Sequence, residues 1–207
     1  MIADSENLRR IMIDSQLRPQ GVNDPAVLAA FAAVPREDYV PEERAGVAYR
    51  DRSVPLGEGR ALIAPAALGM MLTEATLSPG DKALVVGPGS NYAAALLDEM
   101  GLETVALDDE APIGPKPSKA AKGKLDKGHA KGGPYDLILI VGAVEELPAA
   151  YRKQLVDGGQ LVTGIFDGGV TRLARGVKVD DRLALHPFAD AQLPVLPQFA
   201  KVEAFAF

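Results

Sequence analysis

The stretch ALVVGPGS, residues 83–90, and the acid Asp108 are the residues whose types and spacing could do chemistry. Gly87 and Gly89 follow an apolar run and lead directly into an Ala/Leu-rich stretch. Glycine carries no Cβ and reaches backbone angles closed to other residues, so the main chain there can approach a bound molecule closely. Asp108 lies 21 residues beyond Gly87, at the end of the next apolar run. A carboxylate in that place accepts hydrogen bonds from the two hydroxyls of a ribose. The implied chemistry is that of a nucleoside-containing cofactor.

The loop discriminates among such cofactors. A dinucleotide fingerprint requires a third small residue three positions after the second glycine. That position is Tyr92, which is too bulky for close helix–strand packing beside a diphosphate. No Gly-Lys-Ser/Thr follows, which excludes a phosphate-binding P-loop. S-adenosylmethionine carries no phosphate and needs close main-chain approach rather than an anion cradle, so it suits this loop. A nicotinamide-dependent oxidoreductase is disfavoured by Tyr92 and by the lack of a hydride-handling dyad.

Other chemistry is scarce. The chain has no cysteine and two histidines, which excludes disulfides and thiolate metal sites. His129 falls in a basic loop and His186 precedes Pro187, and both read as solvated or structural. Asp136 reads as a strand-edge acid. Glu145 and Glu146 follow an apolar run at the end where ligands bind; they either face the site or serve the N-terminus of the next helix.

These residues need a scaffold. Apolar runs at 82–87, 103–108, 135–143 and 160–166 alternate with helical patterns at 90–100 and 148–156, closed by Gly158 and Gly159. Near-continuous apolar strands between helices imply a parallel sheet covered on both faces. The expected fold is α/β, doubly wound and Rossmann-like, with a helical N-terminal extension. Helices are expected over 5–18 and from Asp24, a capping residue, with Pro25 in the first turn and Pro35 as the stop. A further helix begins at Pro65 and ends at Ser78-Pro79-Gly80. Residues 36–64 show little periodicity and read as a mostly irregular crossing segment. The tail, including TRLARGVKV and KVEAFAF, alternates and reads as later, partly antiparallel strands. At 207 residues the chain is expected to form one domain, 1–207, with a helical and substrate-side extension (1–78) and an α/β core (79–207).

Between Asp108 and Tyr135 a doubly wound fold normally fits a helix and a strand. Here residues 111–133 carry six lysines against the single acid Asp126, a local +5 in a chain of net −6. The segment is rich in Gly and Pro and reads as a solvated mobile loop, with an extended piece only at 123–126 and one crossover unit trimmed or disordered. The net charge and the absence of interleaved aromatics argue against nucleic acid as a partner. The opening MIADSENLRRIMIDSQLR lacks the apolar core of a signal peptide and no run approaches a membrane span, so a cytoplasmic protein is expected.

Three stretches taken together carry a resemblance: residues 15–60, then 64–97, then PYDLILIVGAVEELPAAYRKQLVDGGQLV (134–162). VPRE-YVPE, AYRD--VPLGEG and QL--GGQLV in that order resemble protein-L-isoaspartate O-methyltransferases. The resemblance implies S-adenosylmethionine as cofactor and isoaspartyl residues of damaged peptides or proteins as methyl acceptors. It places cofactor contacts on Gly87, Gly89, Ser90, Asn91 and Tyr92, on Asp108 at the ribose, and on Gly142 and Ala143 after the third strand. A substrate-side segment falls on Arg60, Ala61, Leu62, Ile63 and Pro65. Within it Ile63 stands at the family's serine and Ala61 at its threonine; Asn91 replaces the third loop glycine. Two readings stay open at this point: an O-methyltransferase acting on isoaspartyl residues, and a catalytically impaired relative that binds another protein.

Overall fold

The computed structural model describes residues 4–201. Ten strands and five α-helices occur among them, with the first helix, α1 (Ser5–Met12), running on through a wider π-turn (Ile13–Leu17). Helix α2 (Pro25–Ala33) starts as its sequence dictates: the Asp24 carboxylate accepts from the main-chain N–H groups of Ala26 and Val27 at 2.8 and 3.2 Å. Pro25 occupies the first turn, where a missing N–H costs nothing. The same economy opens α3 (Pro65–Glu74) at Pro65.

Between these helices the expected irregular segment contains order of its own. Strands β1 (Val54–Gly57) and β2 (Arg60–Leu62) form a short antiparallel hairpin, a two-stranded sheet separate from the main one. Seven residues of strand alternating weakly in polarity leave almost no periodic trace in the sequence, which is why the hairpin was not legible there.

The main sheet is built from β3 (Lys82–Val86), β4 (Glu103–Asp108), β5 (Ala120–Lys122), β6 (Tyr135–Val144), β7 (Leu155–Asp167), β8 (Val170–Val179) and β10 (His186–Asp190). Their spatial order is β10-β8-β7-β6-β3-β4-β5, and β9 (Arg182–Leu183) pairs β8 outside that row. The five strands from β7 to β5 are parallel, and β8 and β10 are antiparallel additions. The chain moves outward from β3 through β4 to β5, then returns to place β6 on the other side of β3. That reversal opens a crevice at the carboxyl ends of β3 and β6, where such sheets bind ligands.

Each central strand divides its side chains between two cores. Ala83 and Val85 of β3, with Leu137, Leu139 and Val141 of β6, join α2, α3 and α4 (Ser90–Glu99) on one face. Leu84, Val86, Ile138 and Ile140 join Tyr151, Leu125 and Phe199 on the other. This period of two, apolar on both sides, is what the near-continuous apolar runs encode.

The second face is thinly covered. Helix α5 (Ala149–Gln154) has six residues, shorter than the 148–156 pattern suggested, because β7 already begins at Leu155. The crossover from β4 to β5 contains no α-helix, so the unit is trimmed as expected, but its strand survives at Ala120–Lys122 rather than at 123–126. The Lys-rich segment is also anchored rather than free. The Asn91 side-chain amide donates to the carbonyls of Ile113 and Pro115 at 2.8 and 3.2 Å, Leu125 is fully buried, and the Tyr151 hydroxyl donates to the Leu125 carbonyl. Of the expected tail strand, residues 202–207 lie outside the described residues. No helix among the described residues is long and apolar enough to cross a membrane.

Candidate functional site

Strand β3 runs into Gly87, whose φ of 116° only glycine adopts without strain, and whose N–H donates to the Leu107 carbonyl at 3.0 Å. Gly89, at φ 75°, caps α4, and the Ser90 N–H donates back to the Gly87 carbonyl at 3.0 Å. The turn, the helix start and the neighbouring strand are thus locked together, as the glycine spacing implied. Asp108 ends β4 one strand away, within the same crevice.

The structure adds a partner for that acid. Arg60, from the separate hairpin, places Nη2 2.5 Å from Asp108 Oδ1, with the two side chains 18% and 8% exposed. Burial pushes the Asp108 carboxyl up to about 6, against the opposing pull of the Arg60 guanidinium and the Glu110 N–H. Asp109 next door accepts from the Gln198 amide at 2.7 Å through one oxygen, while its other oxygen is buried without a partner.

Two apolar side chains close over the glycines. A Cβ built on Gly89 would lie 2.4 Å from Leu62 Cδ1, and one built on Gly142 would lie 2.6 Å from Leu196 Cγ. Leu196 arrives on a segment that runs alongside the end of β6: Ala143 donates to the Pro194 carbonyl and accepts from the Leu196 N–H, both at 2.8 Å. Gly142 and Ala143 are therefore beside the loop, as the sequence placed them, but covered by the chain's own tail. Proline-punctuated LPVLP has no periodicity, so nothing in the sequence announces this docking.

Cavities of 280 Å³ and 200 Å³ flank the Arg60–Asp108 pair. The first is lined by Arg60, Ala61, Pro88 and Leu196, the second by Ser90, Asn91, Asp108 and Lys122, and Glu110 touches both. A larger groove of 800 Å³ lies beyond Pro194 and Val195, bordered by Asp51, Arg52, Ser53, Ala64 and Phe166.

Other sequence candidates fall elsewhere. The Tyr92 side chain turns away from the crevice into the core, its ring 5.1 Å from that of Tyr39 and 5.2 Å from the Arg36 guanidinium. A buried tyrosine on the inner face of α4 packs; it cannot also line the loop, and burial pushes its hydroxyl up to about 12. Ile63 is fully buried, with its carbonyl accepting from Arg36 Nη2 at 2.6 Å. Pro65 is buried at the start of α3. Asp136 is the strand-edge acid expected, accepting from the Lys82 N–H at 2.9 Å. Glu145 accepts from the Lys201 N–H at 2.8 Å and so holds the tail rather than the crevice.

The missed residue is Arg36. It is fully buried, donates to the carbonyls of Ala48 and Ile63 at 2.7 and 2.6 Å, and leaves Nη1 without a partner. Burial lowers the pKa of its guanidinium. In the sequence it stands in the VPRE stretch that carries the resemblance, directly after the Val34-Pro35 helix stop, with nothing to mark it as buried.

Comparison with known proteins follows the same outline. The sequence model of the family described as protein-L-isoaspartate(D-aspartate) O-methyltransferase matches residues 8–107 and 119–189, with its interruption at the trimmed crossover. A protein-L-isoaspartate O-methyltransferase of Methylorubrum extorquens is 36% identical over 84% of this chain and 81% of its own length. One from Gloeobacter violaceus is 35% identical over 74% of this chain and 80% of its own. Among solved structures, a putative enzyme of this name from Plasmodium falciparum, in complex with S-adenosyl-L-homocysteine, superposes with a TM-score of 0.75 at 19% identity. It covers 94% of this chain and 98% of its own, a likeness of fold.

Proposed function

The chain belongs to the protein-L-isoaspartate(D-aspartate) O-methyltransferase family, and from that premise we propose that it transfers a methyl group from S-adenosylmethionine to the side-path carboxylate of L-isoaspartyl residues in peptides and proteins. The comparisons lend nothing to the alternative of a relative that only binds protein.

One arrangement carries the reading. Strand β3, the two positive-φ glycines, the start of α4 and the acid ending β4 converge on the crevice where the sheet order reverses. These residues fit the cofactor. Gly87 and Gly89 set no Cβ of their own between the turn and the crevice, although Leu62 lies over Gly89, and Asp108 carries the two acceptor oxygens a ribose diol needs, one of them held by Arg60. In this reading Gly87, Gly89, Ser90 and Asp108 hold the cofactor, Asn91 braces the wall of its site through the 113 and 115 carbonyls, and Gly142 and Ala143 back the site behind Leu196. Bound there, the cofactor supplies a methyl group activated on a sulfonium.

The acceptor asks little acid–base chemistry of the protein. A carboxylate with an ordinary pKa of about 4 is already ionised at neutral pH, so no general base is required. The protein's part is to align the carboxylate with the methyl and to keep water out. The 800 Å³ groove bordered by Arg52 and Ser53 offers room for an extended peptide, next to the hairpin that holds Arg60.

The test is direct. Incubation with labelled S-adenosylmethionine and an isoaspartyl peptide releases base-labile methanol if the proposal holds, and the Asp108→Ala variant loses cofactor affinity at least tenfold. Cofactor binding without methanol release retires isoaspartate as the acceptor.

A further inference from the structure

We propose that the β1–β2 hairpin is a latch on the crevice: Arg60 holds one of the two carboxylate oxygens that a ribose diol needs, Leu62 covers Gly89, and a nucleoside ligand gains the site only when the hairpin lifts. The proposal rests on the reading of Gly87 to Asp108 as the cofactor site.

The contact is between elements far apart in sequence and unconnected in the sheet. Arg60 reaches Asp108 across 48 residues, and its donor takes one carboxylate oxygen at 2.5 Å. Two cavities result, of 280 and 200 Å³, each below the ~300 Å³ at which small-molecule pockets usually begin. Both border Glu110, with Arg60 on the first and Asp108 on the second, so the ion pair stands between them and its opening is the step that would join them.

Val54 and Leu62 seat the hairpin on the core, and its main chain is otherwise lightly tied. It has four and three residues in its strands and no ladder to the main sheet, and isolated two-stranded ribbons are marginal in water. Its tip strings together Gly57, Glu58 and Gly59 at φ 103°, 51° and 75°, with a register slip between Pro55 and Gly57. A glutamate in the left-handed region is uncommon and strained. The root is fixed, because Arg36 holds the Ile63 carbonyl, so the ribbon pivots about Ile63 while α3 stays in place.

The latched state is also imperfectly satisfied. Arg60 meets Asp108 through one nitrogen rather than the two-pronged fork that arginine makes with carboxylates in its strongest pairs, and its Nε is buried without a partner. An unmet buried N–H is costly, which brings the open state within reach. A ligand that binds only the open state has its apparent affinity lowered by the fraction of molecules latched. Arg60 thereby sets how much cofactor is needed to engage the protein.

The experiment uses the full chain, unaltered and as Arg60→Ala, titrated with S-adenosylhomocysteine by calorimetry, with amide hydrogen exchange followed over residues 54–62. Removal of the latch is expected to tighten binding at least tenfold and to speed exchange in the hairpin at least tenfold, leaving β3 and β6 unchanged. Arg60→Lys, which keeps the charge on a shorter and more flexible side chain, falls between the two. Equal or weaker binding by Arg60→Ala when the unaltered chain binds overturns the proposal, as does unchanged exchange in the hairpin. Faster exchange with no binding by either chain leaves the latch standing and removes the cofactor reading instead.

Discussion

Arg36 donates to the main-chain oxygen of Ile63 at 2.6 Å from a position that solvent does not reach. The bond ties the segment after α2 to the root of the β1–β2 hairpin, and a second, at 2.7 Å to Ala48, ties it to the turn before that hairpin. Replacement by methionine strands two buried carbonyls. Hydrogen bonds from a charged donor contribute roughly 1.5–3 kcal/mol each, so Arg36→Met lowers the unfolding free energy by about 3 kcal/mol or more. Arg36→Lys does not restore it, because one ammonium cannot reach both carbonyls with the geometry of a planar fork. Urea denaturation checks both; a loss under about 1 kcal/mol refutes the clamp.

Asp108 carries a pH signature. Its carboxyl titrates near 6 in the folded chain against 3.8 for a free aspartate, so folding tightens its hold on a proton. The stability it contributes is fully present below about 4 and is lost as pH rises through 6. Relative to Asp108→Asn, the unaltered chain therefore gains on the order of 3 kcal/mol between pH 7 and pH 4. Comparing the two denaturation profiles isolates this from the other carboxylates, and parallel profiles across that window exclude the shift.

Gly89 and Leu62 are expected to be coupled. Gly89→Ala strains a φ of 75° and drives a Cβ to within 2.4 Å of Leu62 Cδ1, for a cost of about 2 kcal/mol. In a Leu62→Ala background the steric part disappears and only the backbone strain remains. A double-mutant cycle on thermal stability reads the difference as a coupling of about 1 kcal/mol. Strict additivity shows that the two residues do not touch.

Asn91 tests the anchoring of the trimmed crossover. Its amide is the side-chain donor to Ile113 and Pro115, so Asn91→Ala frees that run from the start of α4. Stability falls by roughly 1–2 kcal/mol and proteolysis within 111–117 accelerates. Unchanged cleavage there places the anchor elsewhere, at Gly114 packed on the Asp38 carbonyl or at the buried Leu125.

The sequence was most informative where one physical rule acts alone. The double-sided burial of β3 and β6 writes itself as unbroken apolar runs, and Asp24-Pro25 writes a helix start that the structure reproduces atom by atom. The glycine turn and Asp108 were legible for the same reason, since a close approach and a chelating acid need those residue types at that spacing. What stayed hidden depends on contacts between distant segments. The resemblance puts Arg60 in a substrate-side segment without showing its reach to Asp108, Leu196 lies in a tail that reads as strand until it covers Gly142, and Arg36, although it stands in the VPRE stretch, gives no hint that it will be buried. Asn91 shows the limit from the other side: standing where the family has a loop glycine, it lies inside α4 with its side chain committed to two carbonyls.

Shedding the helix between β4 and β5 leaves β5 on the rim of the sheet, with unpaired main-chain groups on its outer side. Such a rim recruits strands from other molecules. Here it is three residues long, ends in the exposed Lys122, and is bracketed by the exposed Lys119 and Lys124. Like charge on like charge keeps two copies from zipping together. The lysines that fill the shortened crossover thus act as a guard against aggregation, and a chain stripped of their charge would turn an economy in length into a template for fibres.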